Sequence, residues 1–323
     1  MRKIFVHCFL NSNQKKYLKK NFFIKVHDAN ERILLPDELL NYASGYDGII
    51  CQGNCVSNKY IEKNKSILKV ISNVSVGYDN VDVEFATKHK IAIFNTPSIL
   101  DDTVADLTIG LLISVARKIC EGNNFVKSGK WKKNSWPLFL GEDLKNEFLG
   151  IIGMGNIGKK VAERANAFNL KILYNNRNKL GIEEENKYMA SYCSLEQLLR
   201  KSKYVVILAP LNKQTKHLMN ERTFSMMRRD AFIINIARGK IINENDLVKA
   251  LEKKIIAGAG LDVFEFEPAV NSKLLKMNNT VLMPHAGSAS YKTRNQMVEL
   301  ACKNISDYLL YNLKKNLINK KYI

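Results

Sequence analysis

No stretch of this sequence approaches the roughly 18 uncharged apolar residues that a membrane-spanning helix needs. The opening MRKIFVHCFL has a basic start but only a few apolar residues, without the longer apolar core and small-residue cleavage site of a secretion signal. It reads as a first β-strand, and a cytoplasmic location is expected. Cysteine is sparse and scattered, at Cys8, Cys51, Cys55, Cys120, Cys193 and Cys302, and only the C-Q-G-N-C pair is close. A zinc site wants a second pair or nearby histidines, and neither follows. These are read as buried or idle thiols of a reducing compartment, and no metal is expected. Acidic residues are in deficit: 31 Asp+Glu against 50 Lys+Arg leave a net charge of +19. Such a balance raises the question of nucleic acid. The lysines, however, run through the whole chain among many asparagines, and only the tail 313–323 (LKKNLINKKYI) is dense. Solvated basic faces are the reading, with no nucleic-acid or membrane partner, and the excess charge would steer anionic ligands into a cleft.

What remains is a globular composition. Hydrophobic residues make up 46% and charged residues 25%, which excludes global disorder. A chain of 323 residues is too long for one ordinary core and reads as two domains.

Short β-like runs alternate with amphipathic segments along most of the length. Strands are predicted over 4–9, 23–27, 48–51, 70–75 and 91–95, with helices over 13–20, 36–42 and 58–65 between them. Alternation of this kind argues a parallel sheet covered on both faces. A stretch from 101 to 120, apolar almost all round, predicts a helix buried between layers. Residues 121–145, which hold Trp131 and Trp136, read as an irregular interface arm. Six further strands are predicted over 148–152, 171–175, 204–209, 231–237, 256–263 and 280–283, with helices over 157–168, 195–201, 221–227 and 243–253. That is the strand number of a doubly wound dinucleotide fold. A last helix, 291–311, lies outside it and is expected to cross back onto the first domain.

After the apolar run Phe148-Leu-Gly-Ile-Ile comes G-x-G-x-x-G at Gly153, Gly155 and Gly158, opening an amphipathic segment. A glycine triplet alone is weak evidence, but between a strand and a helix it is the dinucleotide fingerprint. Gly153 would make the tight turn, Gly155 would let backbone N–H groups reach the pyrophosphate, and Gly158 would let helix and strand pack closely. At the end of the next strand, NAD-users place Asp or Glu to hold the ribose hydroxyls. Here Asn176 stands in Tyr174-Asn-Asn-Arg-Asn-Lys179. No carboxylate would repel a 2′-phosphate there. Arg177 and Lys179 could bind one, with Asn176 and Asn178 as hydrogen-bond donors. NADPH is therefore favoured over NADH, with NADH an alternative.

Three residues stand at or beyond predicted strand ends, where open α/β sheets bind ligands. Arg238 follows Phe232-Ile-Ile-Asn-Ile-Ala, Glu267 lies in Leu261-Asp-Val-Phe-Glu-Phe-Glu-Pro, and His285 follows Val281-Leu-Met-Pro. Hydride delivery to a ketone builds negative charge on oxygen, so a proton donor must be in place, and histidine suits that task. A glutamate beside it favours the imidazolium. Arginine can hold a substrate carboxylate through its planar fork and polarise the carbonyl. Each residue taken singly is more often a surface or loop residue; the joint pattern carries the weight.

That joint pattern, Ile234-Asn-Ile-Ala-Arg-Gly, then Gly258-Ala-Gly-Leu-Asp-Val-Phe-Glu-Phe-Glu-Pro, then Met283-Pro-His-Ala-Gly-Ser, closely resembles the D-isomer-specific 2-hydroxyacid dehydrogenases. Val74-Ser-Val-Gly-Tyr-Asp-Asn-Val-Asp resembles the family's carboxylate loop, and Asn95-Thr-Pro and Asp102-Thr-Val-Ala-Asp its connection and linker helix. Within the family, Phe125-Val-Lys-Ser-Gly-Lys-Trp, the Asn-Arg-Asn loop and the Gly-Ser after His285 look most like the glyoxylate/hydroxypyruvate reductase branch.

The resemblance implies an oxidoreductase that reduces a small 2-oxo acid to the D-2-hydroxy acid. Its fold would be two α/β parallel-sheet domains: a flavodoxin-like substrate domain of 1–98 plus 288–323, and a Rossmann domain of 99–287. Arg238 would orient substrate, His285 donate the proton and Glu267 be its partner. The N–H groups of Val76 and Gly77 would hold the carboxylate, with Trp136 and Ser288 also at the substrate. Besides the three glycines and the Asn176–Lys179 loop, cofactor contacts would come from Thr103, Met154, Asn156, Ile157, Pro210, Thr215, Ile236, Ala237, Asp262 and Gly287. A homodimer built on the nucleotide domains is implied, with Trp136 reaching the partner's pocket. Other readings stay open: a D-lactate, 2-ketogluconate or phosphoglycerate dehydrogenase, or a nucleotide-sensing corepressor-like binding protein on the same fold.

Overall fold

The computed structural model describes residues 1–27, 34–53 and 56–320. It divides into two units, Met1–Leu100 with Ala289–Ile323, and Asp101–Ser288.

The first unit alternates β1 (Arg2–His7), α1 (Ser12–Lys19), β2 (Phe22–His27), α2 (Pro36–Tyr42), β3 (Gly48–Cys51), α3 (Asn58–Asn64), β4 (Val70–Asn73), α4 (Val83–Lys88) and β5 (Ala92–Phe94). All pairings are parallel, in the order β2-β1-β3-β4-β5. That is the flavodoxin-like order. The runs GIIC and VISN of β3 and β4 are wholly buried, as central strands covered on both faces must be. Helix starts follow local chemistry. Asn11 forms a capping box with Gln14, Ser57 and Asp82 cap α3 and α4, and Pro36 opens α2.

The second unit runs α5 (Asp101–Ala116), α6 (Ile119–Lys127), β6 (Phe148–Ile152), α7 (Asn156–Ala167), β7 (Lys171–Asn175), α8 (Ile182–Tyr188), β8 (Ala190–Tyr192), α9 (Leu195–Lys201), β9 (Tyr204–Ile207), α10 (Glu221–Ser225), β10 (Phe232–Asn235), α11 (Glu244–Glu252), β11 (Gly258–Leu261) and β12 (Thr280–Leu282). Its sheet is parallel throughout, in the order β12-β11-β10-β9-β6-β7-β8. The direction of winding reverses between β6 and β9, which makes that crevice the topological switch point. Helix α5, apolar on nearly every side, packs on β10, β11 and α7. From the chain's end, α12 (Tyr291–Tyr311) belongs to the first unit and lies on β3, β4 and β5. There Ser72 Oγ donates to Ala301 O at 2.9 Å.

Three expectations need correction. The second sheet has seven strands among the described residues, not six, because Ala190–Tyr192 adds a three-residue edge strand. Ala-Ser-Tyr, half exposed, carries no apolar run to announce it. The predicted 101–120 helix ends at Ala116. Lys118 at φ +53° turns the chain into α6, so the start of the 121–145 arm is helical rather than irregular. No glycine or proline marks that break.

Cys8, Cys51 and Cys302 are buried, Cys193 is half-buried and Cys120 exposed; Cys55 lies outside the described residues. The last three residues of the basic tail lie outside them too. No helix among the described residues is long and apolar enough to cross a membrane.

Candidate active site

The sheet of the second unit delivers its functional residues to one edge. Because all its strands are parallel, Gly153, Asn176, Pro210, Arg238, Glu267 and His285, which follow β6, β7, β9, β10, β11 and β12, gather at the C-terminal side. Gly153 adopts φ +102°, and a Cβ there would stand 2.5 Å from Ala209 N at the end of β9. The turn therefore sits in the switch-point crevice, where only glycine fits. Gly158 faces the carbonyl of Gly153, 2.5 Å from where a Cβ would be, so α7 leaves the loop in close contact with it. Gly155 caps α7, and its missing Cβ would meet nothing within 4 Å. Open space at that position, with exposed Asn156 beside it, is room for a pyrophosphate at a helix N-terminus. Arg164 of α7 holds Asp106 and Asp102 of α5 at 2.6 and 3.0 Å, anchoring the helix that presents this cradle.

The loop after β7 is tied to the same cradle. Asn176 Oδ1 accepts the Met154 N–H at 2.6 Å, so this side chain braces the glycine loop. Arg177, Asn178 and Lys179 are exposed. Lys179 pairs with Glu185 of α8 at 3.3 Å. On the far side of the crevice Thr215 Oγ1 donates to Pro210 O at 2.6 Å, closing the loop after β9. Ile236 is buried, Ala237 and Ile157 half-buried and Met154 buried, all along the same edge.

Glu267 and His285 meet: His285 Nδ1 lies 2.8 Å from Glu267 Oε2. The other oxygen, Oε1, accepts the Phe264 N–H at 2.9 Å, so the carboxylate is held at both ends. Burial pushes the Glu267 carboxyl up, but the hydrogen bond and charge of His285, the Phe264 amide and the charge of Arg238 outweigh it, and the group titrates below the ordinary carboxylate value. His285 sits at φ +52°, a conformation that costs a side-chain-bearing residue and persists only when its surroundings impose it. They do so here through Asp262. Its carbonyl accepts the His285 N–H at 2.8 Å, and its carboxylate accepts the Ala286 and Gly287 amides at 2.6 and 2.9 Å. Asp262 is 1% exposed, and burial raises its carboxyl despite those amides.

Arg238 is placed by a residue that periodicity alone passes over. Buried Asn235 closes β10, donates to Arg238 O at 3.0 Å and accepts the Ala237 N–H at 3.1 Å. An asparagine inside an apolar strand was the signal available for it. Gly239 presses on the backbone of Phe264 and Glu265 so closely that no Cβ could fit. The arginine loop and the glutamate loop are thereby locked together.

Val76 and Gly77 lie in the first unit. Their carbonyls are taken by the side chains of Asn95 and Asn73 at 2.9 and 3.1 Å. Neither amide donates a hydrogen bond among the described residues. Trp136 is 95% exposed, and Ser288 half-buried. Thr103 lies in the first turn of α5.

Chemically, a histidine with one nitrogen on an ionised carboxylate can offer a proton from the other only as the imidazolium. An arginine beside it can hold an anion. An adjoining cradle of backbone amides suits a dinucleotide. Comparison with known proteins agrees. Residues 109–287 match the family model of the D-isomer specific 2-hydroxyacid dehydrogenase NAD binding domain. Over 322 residues the chain is 45% identical to a glyoxylate reductase from Thermococcus litoralis, covering 98% of this chain and 97% of the other. Over 312 residues it is 42% identical to a glyoxylate reductase from Pyrococcus horikoshii, covering 95% and 93%. An NADPH-dependent glyoxylate/hydroxypyruvate reductase from Sinorhizobium meliloti, solved with NADP and malonate, superposes with a TM-score of 0.85 at 29% identity, over 100% of this chain and 98% of that one. Likeness across nearly the whole length, on a sheet edge built in this way, makes the chain a member of the D-isomer specific 2-hydroxyacid dehydrogenases, carrying their NAD(P)-binding domain.

Proposed function

We propose that this enzyme reduces glyoxylate and hydroxypyruvate to their 2-hydroxy acids, the D isomer where the product is chiral, with NADPH preferred to NADH. The observation that carries the reading is the Glu267–His285 pair, 2.8 Å apart, on the same sheet edge as Arg238 and the glycine cradle. Its relatives named glyoxylate reductase support the substrate class.

Gly153, Gly155 and Gly158 with the first turn of α7 would hold the pyrophosphate, and the Asn176–Lys179 loop the adenosine ribose and its 2′-phosphate. Thr103, Pro210, Thr215, Ile236, Ala237, Asp262 and Gly287 line the remainder of the cofactor's path. When bound, the reduced nicotinamide supplies the hydride. Arg238 orients the 2-oxo acid by its carboxylate and polarises the carbonyl. The Val76 and Gly77 amides take the rest of the carboxylate, with Trp136 and Ser288 as further substrate contacts. Glu267, kept ionised, accepts from His285 Nδ1, which leaves Nε2 to deliver its proton to the carbonyl oxygen as charge develops there. The first unit serves as the substrate domain and the second as the cofactor domain, in the cytoplasm.

A homodimer completes the reading. Trp136 lines an open groove of about 560 Å³ together with Val126, Trp131 and Leu138, all exposed. An apolar surface of this kind marks an interaction site. Light scattering should give twice the mass of the chain.

The test is absorbance at 340 nm, offering glyoxylate and hydroxypyruvate with NADPH and, separately, NADH. Faster oxidation of NADPH is expected with both acids. Preference for NADH would keep the reduction and overturn the cofactor assignment, and no turnover with either cofactor would overturn the substrate assignment.

A further inference from the structure

Two lysines flank the glycine cradle and its ribose loop, and one helix holds both. Lys159, in the first turns of α7, pairs with Glu184; Lys179, in the loop after β7, pairs with Glu185 at 3.3 Å. Both carboxylates lie in the first turn of α8. Glu185 is the more firmly fixed of the two. It is buried, accepts from Tyr174 Oη at 2.7 Å, and that phenol in turn accepts the Leu180 N–H at 2.9 Å. Burial pushes Tyr174 up to about 12, so the phenol stays a donor to Glu185. The hydrogen bond from Tyr174 and the charge of Lys179 hold the Glu185 carboxyl below its ordinary value despite burial. An ionised, immobile carboxylate therefore stands beneath the loop 175–180. Arg177, by contrast, is exposed and makes no ion pair among the described residues.

We propose that Glu185 is a specificity-determining residue that sets the balance between the two cofactors by acting on Lys179. This rests on the assignment of the Asn176–Lys179 loop to the 2′-phosphate. A phosphate monoester carries between one and two negative charges near neutrality. A carboxylate on Lys179 both neutralises the cation that would meet that phosphate and repels the phosphate itself. The 2′-hydroxyl of NADH is neutral and feels little of either effect. Glu184 makes the equivalent contact one residue earlier, but its lysine belongs to α7, the helix that faces the pyrophosphate shared by both cofactors. Removing charge at Glu184 should move NADPH and NADH alike; removing it at Glu185 should move NADPH alone.

The experiment measures dissociation constants of NADPH and NADH by isothermal titration calorimetry for the wild type, Glu184→Gln, Glu185→Gln, Lys179→Met and the Glu185→Gln/Lys179→Met double variant. Glu185→Gln is expected to tighten NADPH by roughly fivefold, the scale of one partly screened charge contact, and to leave NADH within about twofold. The gain should shrink in the Lys179→Met background, where only the direct repulsion of the phosphate is left to relieve. Equal shifts for both cofactors, an unchanged NADPH constant, or a gain undiminished without Lys179 would each overturn the proposal. Should Glu185→Gln not fold, Lys179→Met alone decides it: NADPH must weaken and NADH must not. A wild type that prefers NADH would sink the 2′-phosphate assignment, while the response of the ratio to Glu185→Gln would still be read independently.

Discussion

His285 Nδ1 and Glu267 Oε2 stand 2.8 Å apart across two loops that follow neighbouring strands, with His285 held in a left-handed backbone conformation to make the contact. The pairing assigns the ring's nitrogens. A carboxylate kept ionised can only accept, so Nδ1 carries a hydrogen and Nε2 is the atom that would deliver the proton in the proposed reaction. His285→Gln is expected to lower turnover of glyoxylate by roughly two to four orders of magnitude, the range for losing a positioned general acid, with NADPH affinity nearly unchanged. Glu267→Gln should lower kcat by about tenfold or more for the same reason, through the lost charge beside the imidazolium. Steady-state kinetics alongside cofactor titration check both, and near-normal turnover in His285→Gln would remove it from the chemistry.

Two glycines of the second unit separate binding from folding. At Gly155 a Cβ would meet nothing within 4 Å, so Gly155→Ala should melt at the wild-type temperature while weakening NADPH by about tenfold, because the methyl would occupy the space that the proposed binding mode gives to the pyrophosphate. At Gly239 the same methyl would drive into the backbone of Phe264 and Glu265. Gly239→Ala should cost about 1–3 kcal/mol of stability, the usual range for overpacking, and reduce kcat by moving Arg238 away from Glu267. Thermal melts paired with cofactor titration distinguish the two patterns. A melting temperature lowered in Gly155→Ala, or unaltered in Gly239→Ala, would contradict this account.

Much of this site was legible in the residues because its chemistry is written in local order. A glycine triplet between an apolar strand and an amphipathic helix, and Arg, Glu and His each just past a strand, need only chain position to be read. What escaped depends on partners distant in sequence or on elements too short to be periodic. Asn176 could be seen to replace an acid, but not to brace Met154, 22 positions before it. Lys179 looked like a ready phosphate ligand, whereas Glu185 already holds it. Helix α8 and strand β8, seven and three residues long, carry too few apolar positions to show a period. Lys118 turns the chain without glycine, so the break between α5 and α6 left no mark.

Asn176 also offers a test of the cofactor assignment. Its Oδ1 accepts the Met154 N–H at 2.6 Å, and an aspartate could keep that bond with one of its oxygens. Asn176→Asp would therefore preserve the glycine loop while placing a carboxylate against the 2′ position. Preference should swing toward NADH by about tenfold or more, since a carboxylate accepts from ribose hydroxyls and repels a phosphate. The ratio of kcat/KM values for NADPH and NADH measures it, and an unchanged ratio would place the 2′ group elsewhere.

The first unit carries a built-in sensitivity to acid. His7 is buried at the end of β1, where its Nε2 accepts the Leu34 N–H at 3.0 Å, and the ring lies 5.2 Å from that of His27. Accepting at Nε2 requires the neutral ring, and burial, together with the charge of His27, lowers its pKa to about 4. An unfolded chain takes up this proton below about 6.5, the ordinary histidine value, whereas the folded chain does not until near 4. Proton uptake therefore favours unfolding across that window. Stability is complete above the unfolded value and declines as the pH falls, by about 3 kcal/mol once both values are passed. His7→Gln, which keeps an acceptor for Leu34 but cannot be charged, should flatten this decline. Urea midpoints at pH 7, 6 and 5 would show it as a smaller acid shift in the variant than in the wild type. Equal shifts in the two proteins would mean that His7 is protonated in the folded state and that its bond to Leu34 is not what resists the proton.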